Sequence, residues 1–406
     1  MRASVFTPTH KPDWLQDCYS SLKTQTLQDF EWVLVPNGGA NIPENIAADP
    51  RVRLCPLPSC VDPGVGALKQ YACRQCQGDI LVELDHDDML VETCLEKISA
   101  AAEANPQAGF FYSDFVQFLP DGNSHVFDGA WGWEAYPFRW HDHDYQAMRA
   151  FPPTPWALAN ISFAPNHVRA WTKEAYRKSG EHSPTMVLCD DLDLIIRTSL
   201  RGYAFVHIRE PLYMYREQPG WANTSHSRHA EIRAMSQKLC NRNFHQLLEA
   251  WCQLHALSDL TLFHLETNPQ TVVEYLQRLP DNSVGYIRAM EYLHRLAPQD
   301  IAPFMNEAYR ALVPGGFLLA SVPSADGRGG HVHPGARSLW CADTFRHFTD
   351  AAWNANFFPE ATCRFQATRL WDEHPSPWHK EHNILMTYAD LCALKGQRQP
   401  DLKQWT

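Results

Sequence analysis

No apolar run in this 406-residue chain reaches the roughly 18 residues that a membrane-spanning helix needs. Basic residues are also in the minority, 35 Lys and Arg against 46 Asp and Glu, for a net charge of −11. A surface built for phosphate backbones needs clustered cations, so nucleic acid is disfavoured as a partner. Twelve cysteines are scattered without a framework pattern, which suits a reducing compartment. Cys73-x-x-Cys76 has no second Cys/His pair at zinc-finger spacing, and no structural zinc is expected. The N-terminus enters a strand-like run, Ser4-Val5-Phe6, without the basic and apolar stretches of a secretory leader. A cytoplasmic location is therefore expected, with peripheral association at the inner membrane compatible with it. Repeats and low-complexity tracts are missing too. What is present, 45% hydrophobic and 20% charged residues, describes an ordinary globular chain of two or three domains.

The first half alternates strand and helix patterns. Ser4 to Thr7 reads as a strand, Asp13 to Gln25 as an amphipathic helix, and Phe30 to Val35 as a second strand closed by Pro36-Asn37-Gly38-Gly39. Leu68 to Cys76 is a helix, and the apolar run Ile80 to Leu84 is a strand. A helix over Leu95 to Ala104 and a strand over Gly109 to Phe118 follow. This β-α-β alternation predicts an open, mostly parallel α/β sheet with ligands at the carboxyl ends of its strands. Asn37 and the cluster Asp85-His86-Asp87-Asp88 fall at such ends. Side chains alternate along a strand, so an Asp-x-Asp pair presents two carboxylates on one side. That arrangement suits a hard divalent cation gripping a diphosphate, although a solvated acidic turn has the same composition.

From Trp131 to Trp156 aromatics crowd without a clear period, and an irregular loop is expected there. It either packs its own rings or forms a wall for a sugar. His141-Asp142-His143-Asp144 within it reads as a hydrated acidic turn. Further on, Asp190 and Asp191 open the apolar helix Leu192-Asp193-Leu194-Ile195-Ile196-Arg197, where carboxylates are favoured by the helix dipole.

Taken in order, these segments resemble a family 2 glycosyltransferase of the GT-A (nucleotide-diphospho-sugar transferase) fold over residues 1–235. The likeness rests on Val5-Phe6-Thr7-Pro8-Thr9-His10, Ser20-Ser21-Leu22-Lys23-Thr24-Gln25-Thr26 and Ala67-Leu68-Lys69-Gln70 with Gly78-Asp79. It continues through Asp85-His86-Asp87-Asp88 and Cys189-Asp190-Asp191-Leu192-Asp193-Leu194 with Arg197. Tyr215-Arg216 and Ser225-His226-Ser227 are similar to the family's closing segment. The resemblance implies a single inverting displacement with Asp191 as catalytic base and with Asp87, Asp85 and Asp88 as ligands of Mn²⁺ or Mg²⁺. It implies Pro8, Thr9, Asn37, Lys69, Asp85 and Arg216 as donor-binding residues and Asp190 as acceptor-binding, while Trp131, Trp133 and Trp156 of the aromatic segment are the rings expected to meet the acceptor if that segment is a sugar wall. His226 would contact phosphate or metal. A UDP-sugar is the favoured donor, and the acceptor implied is a surface polysaccharide or a lipid-linked glycan. One departure is Pro36-Asn37-Gly38-Gly39, where the family commonly has Asp-Asp-Gly-Ser; Asn37 both donates and accepts hydrogen bonds, which leaves the base open.

Residues 236–258 read as a helical linker and 391–406 as a tail. Between them, residues 259–390 resemble a truncated Rossmann-like, methyltransferase-type α/β domain. The residues that carry this are Leu279-Pro280-Asp281-Asn282-Ser283-Val284, Glu291-Tyr292-Leu293-His294 and Arg310-x-Leu312-x-Pro314-Gly315-Gly316. Cofactor binding in such a domain needs a glycine-rich turn after its first strand, yet no glycine occurs between Gly220 and Gly285. S-adenosylmethionine is therefore not expected, Glu266 notwithstanding, and the domain is read as a packing or protein-partner surface. His331-x-His333 reads as a loop. Three rivals remain: an enzyme that also methylates its glycan, an inactive glycan-binding scaffold, and a glycosyltransferase acting on a modified nucleic-acid base.

Overall fold

The computed structural model describes residues 1–62, 64–127, 129, 132–161, 163–218, 223–262 and 269–396. The chain forms two compact units, Met1–Gly129 with Trp133–Leu254, and Ala130–Gly132 with His255–Thr406.

The first unit is built on ten strands. They are β1 (Ala3–Thr9), β2 (Phe30–Pro36), β3 (Val52–Leu54), β4 (Ile80–Glu83), β5 (Met89–Leu90), β6 (Ala108–Phe118), β7 (Ala135–Trp140), β8 (His143–Met148), β9 (Arg169–Thr172) and β10 (Ala204–Arg216). The main path runs β3-β2-β1-β4-β9-β6-β10-β5, with β8 joining β6 to β7. β1 is parallel to both β2 and β4, and β6 to β10, while β9 is inserted antiparallel between β4 and β6. Strands β1 and β4 are buried almost throughout, as expected for central strands covered on both faces. The register pairs Thr9 with Pro36 and Phe6 with Glu83. Asn37 and the acidic cluster after Glu83 therefore both leave the same carboxyl edge.

The helices Leu15–Lys23, Val65–Gln75 and Cys94–Ala104 follow the expected β-α-β order. The helix Val65–Gln75 starts tightly against the loop before the later helix Asp190–Leu200. Gly66 N donates to Met186 O at 3.1 Å, and a Cβ on Gly66 would lie 2.1 Å from Ser183 O. Backbone cannot yield as a side-chain tip does. Gly66→Ala is expected to cost about 1–3 kcal/mol in a denaturant melt, by overpacking. A core joins both helices to the sheet through Phe6, Leu81, Phe110, Trp171, Leu192 and Ile195.

Two segments differ from the sequence expectation. The aromatic stretch is a β7–β8 hairpin rather than an irregular loop, and it turns at His141-Asp142, where His141 has a φ of 52°. Prolines and bulky rings mask its two-residue period. The helix-forming stretch near the domain boundary is one 26-residue helix, His229–Leu254, and residue 235 falls inside it. Its Cys240 and Leu247 belong to the first unit's core.

The second unit holds β11 (Ser258–Thr261), β12 (Val284–Met290), β13 (Leu312–Pro323), β14 (Gln366–Glu373) and β15 (Met386–Ala393) in the order β11-β12-β13-β15-β14. The first three are parallel and β15 is antiparallel to both neighbours. The helix Pro298–Ala311 packs beside them through Phe304, Met305 and Ala308. The predicted strand Leu260 to Leu265 is instead Ser258–Thr261, and Glu266 lies outside the described residues.

Candidate active site

The acidic cluster continues directly from β4. Tyr213 of β10 fixes its shape: the phenolic oxygen accepts from Asp85 N at 3.2 Å and donates to Asp88 Oδ2 at 2.8 Å. Asp88 Oδ1 accepts from Arg216 N at 2.7 Å. Asp88 is buried with both oxygens engaged, so its place is that of a loop staple rather than a cation ligand. Burial, then Asp87 and Asp85, push its carboxyl well up. Arg216 is likewise committed within the chain. Its guanidinium lies between the Trp14 and Phe118 rings, 4.1 and 4.8 Å from their centroids. It also donates to Asp87 O and Asp17 Oδ2, both at 2.8 Å. The expected donor contact of Arg216 is thus replaced by a clamp on the Asp87 loop.

Asp85 is the open member. Among the described residues neither of its oxygens carries a hydrogen bond, and Oδ2 lies 3.8 Å from His167 Nε2. Burial raises its carboxyl to about 6, with Lys69 opposing and Glu83 and Asp87 adding to the rise. Asp87 accepts from Gln218 Nε2 through one oxygen. Pro8 and Thr9 close β1, and Asn37 N is held by Thr9 O at 2.8 Å.

Behind this edge is a buried charge network. Lys69 pairs with Glu83 and stands 3.5 Å from Asp190. Arg169 pairs with Asp191 at 2.6 Å and stands 3.9 Å from Glu83. His182, wholly buried, holds Tyr176 Oη at 3.0 Å and lies 3.6 Å from Asp190. Burial acts against the Lys69 charge, but Asp190, Glu83 and Asp85 outweigh it and hold the ammonium well above its ordinary range. Four carboxylates, Glu83, Asp85, Asp190 and Asp191, face two fixed cations. The surplus of negative charge falls on Asp85 and Asp190; burial lifts Asp190 to about 6 against the pull of Lys69.

The two acids that start the helix Asp190–Leu200 play different parts. Cys189 just before it has a φ of 55°, a left-handed turn that points the pair inward. Asp190 is 4% exposed and faces Lys69 and His182, so it is not open to an acceptor as the sequence suggested. Asp191 has a 25% exposed side chain and reaches solvent. Burial tends to raise its carboxyl, but Arg169 and then Lys69 bring it below the ordinary carboxylate range.

Glu83, Asp85 and His167 bring three potential ligand atoms within 4.8 Å of one another. Glu83 already serves Lys69, and His167 Nε2 lies 3.2 Å from Arg169 Nη1, a group that only donates. The residues that fit a hard cation are therefore Asp85, with its uncommitted oxygens, and Asp87 beside it.

Residues 4–154 match the model of glycosyl transferase family 2. The family 2 match spans β1 to β8 and includes the acidic cluster; it ends before Arg169, Asp190 and Asp191. Over 254 residues the chain is 25% identical to the O-antigen biosynthesis protein RfbC of Myxococcus xanthus, covering 59% of this chain and 18% of that protein. The chain thus spans less than a fifth of the length of that relative. Among solved structures it aligns with S. aureus TarS 1–349 at 13% identity and a TM-score of 0.42, covering 77% and 84% of the two chains. TarS 1–349 in complex with UDP-GlcNAc aligns at 16% and 0.42, covering 76% and 90%.

The remaining expected contacts are placed differently. Trp133 and Trp156 are 9% and 3% exposed and pack around Phe151, at centroid distances of 4.6 and 5.8 Å. They offer no open ring face to a sugar, and Trp131 lies outside the described residues. Lys69 meets carboxylates of its own chain rather than solvent. His226 Nε2 is 3.0 Å from Glu217 Oε1. Sequence reasoning missed Glu83, His167, Arg169, His182 and Tyr213. His167 and Arg169, two apart around Val168 at the start of the short strand β9, were the one signal available.

Proposed function

We propose that this chain is a metal-dependent, inverting glycosyltransferase that moves a sugar from a nucleotide-sugar donor to an acceptor hydroxyl. The observation that carries the reading is the grouping of an uncommitted carboxylate, Asp85, and a solvent-reaching carboxylate, Asp191, around one buried charge network on a family 2 framework. Asp191 would accept the proton of the attacking hydroxyl, a role that needs an ionised, accessible carboxylate. Asp85 and Asp87 would hold Mn²⁺ or Mg²⁺, which when bound supplies positive charge to the leaving diphosphate. Thr9 and Asn37, at the ends of β1 and β2, would face the nucleotide, with UDP the favoured carrier.

A surface polysaccharide or lipid-linked glycan is the proposed acceptor, in keeping with the O-antigen role in the relative's name. Among the described residues no helix is long and apolar enough to cross a membrane. For the second unit we keep the reading of a methyltransferase-like remnant that does not bind S-adenosylmethionine. Its three parallel strands, with an antiparallel strand following them in the sheet, are compatible with that origin.

Calorimetric titration tests the donor end: UDP should bind in the presence of Mn²⁺ and lose affinity in EDTA, whereas metal-independent binding would remove the cation from the account. The cation must also compete with protons for Asp85. Mn²⁺ affinity is expected to fall by up to about tenfold per pH unit below about 6, and to level off above it. An affinity flat between pH 5 and 7 would show that Asp85 is not a ligand.

A further inference from the structure

Arg169 is the first residue of β9, pinned in the sheet between β4 and β6, where its backbone pairs with Tyr112. Its side chain is buried, and three groups share it. Nη1 lies 2.6 Å from Asp191 Oδ2 and 3.2 Å from His167 Nε2, and Nε donates to Pro165 O at 3.3 Å. A guanidinium has no acceptor, so His167 must offer its Nε2 lone pair and carry its proton on Nδ1. That same Nε2 is the atom facing Asp85, at 3.8 Å. The His167 ring in turn stacks on Tyr213 at 4.7 Å, the residue that staples Asp85 to Asp88. A continuous path therefore runs from Asp191 through Arg169 and His167 to the acidic cluster.

We propose that Arg169 is a positioning residue for glycosyl transfer, orienting Asp191 and fixing the tautomer of His167 beside Asp85 with a single guanidinium. This rests on the function proposed above and deepens it. Lysine at this position would keep the charge, but its one nitrogen would have to serve Asp191, His167 and Pro165 O together, whereas the guanidinium anchors on Pro165 O through Nε and leaves Nη1 for the other two. Asp191 is otherwise faced by Lys69 from the helix Val65–Gln75, by His182 from the loop before its own helix, by its neighbour Asp190 and by the Leu192 N–H, which donates to Oδ1 at 2.7 Å. Of the charged groups, Arg169 alone pairs with it directly.

The test is turnover as nucleoside diphosphate release, with water as acceptor and Mn²⁺ present. The donor is whichever of a panel of UDP-, GDP- and dTDP-sugars the wild type uses fastest. R169Q should lower kcat by about tenfold or more while the donor KM stays within about twofold. The acid limb of its kcat–pH profile should move up by about one unit. R169K should return the limb to its wild-type position but only part of the rate. A wild-type kcat and limb in R169Q, with D191N inactive, would overturn the inference and leave the proposed function standing. Wild-type turnover in D191N, or no release from any donor, would overturn the function and the inference together. Should R169Q fail to fold, judged by its melt and by UDP binding, R169K decides: full wild-type kcat would contradict the role of the shared guanidinium.

Discussion

Asp191→Asn is expected to lower kcat for sugar transfer by about 10²–10⁴, equivalent to about 3–5 kcal/mol of transition-state stabilisation, with UDP affinity unchanged. The side chain reaches solvent, whereas its neighbour Asp190 is closed in by Lys69 and His182. An amide keeps the size of the carboxylate and can still meet Arg169 through its oxygen, but it cannot take a proton at working pH. Because Arg169 and Lys69 hold Asp191 below the ordinary carboxylate range, the proposed base stays ionised across neutral pH. The acid limb of wild-type activity, where this group governs it, should therefore lie below the ordinary carboxylate range. Steady-state kinetics of D191N beside calorimetry with UDP separates the two effects. A variant that keeps wild-type kcat would move the base elsewhere.

Lys69→Met is expected to be the most destabilising single change in the first unit's site. The ammonium lies between Glu83 and Asp190, all three buried. Removing it leaves two carboxylates facing each other without their shared cation. Breaking a buried pair from one side costs about 3–5 kcal/mol, and the melting temperature should drop by about 10 °C. The sign of the pH dependence follows from linkage. Without Lys69 the native carboxylates bind protons more tightly than in the unfolded chain, so native stability rises as pH falls toward the unfolded carboxylate range. The deficit against wild type should therefore shrink between pH 7.5 and 5.5 in parallel thermal melts. A deficit that does not depend on pH would mean that lost packing, not exposed charge, is responsible.

Local patterns in the sequence predicted the β-α-β order of the first unit, because β2 and β4 are mostly apolar runs and β1 is a short β-branched and aromatic one, with helix patterns and turn residues between them. They placed Asn37 and Asp85 at one carboxyl edge for the same reason. The choice of Asp191 rather than Asp190 as base rests on family resemblance; in the structure Asp191 is the more exposed of the two. What the sequence did not disclose is which polar groups spend themselves on one another. The sequence suggests Lys69 and Arg216 as donor contacts, yet Lys69 faces Glu83 from a different element, and Arg216 is held between the rings of Trp14 and Phe118. Nothing in the spacing of those residues marks such long-range pairing. The aromatic segment failed differently: Trp133 and Trp156 turned inward because a hairpin with Phe151 beside it gives them a core, and the prolines concealed the strand period. Arg169 was hidden in a four-residue antiparallel strand too short to show alternation.

The measurement that bears most directly on the central claim is nucleoside diphosphate release by the intact chain, scored across a panel of nucleotide sugars with Mn²⁺ and with EDTA. Metal-dependent glycosyl transfer predicts release from at least one donor with Mn²⁺, lost in EDTA and lost in D191N. Release that persists in EDTA or in D191N, or none from any donor with a glycan acceptor supplied, would contradict it.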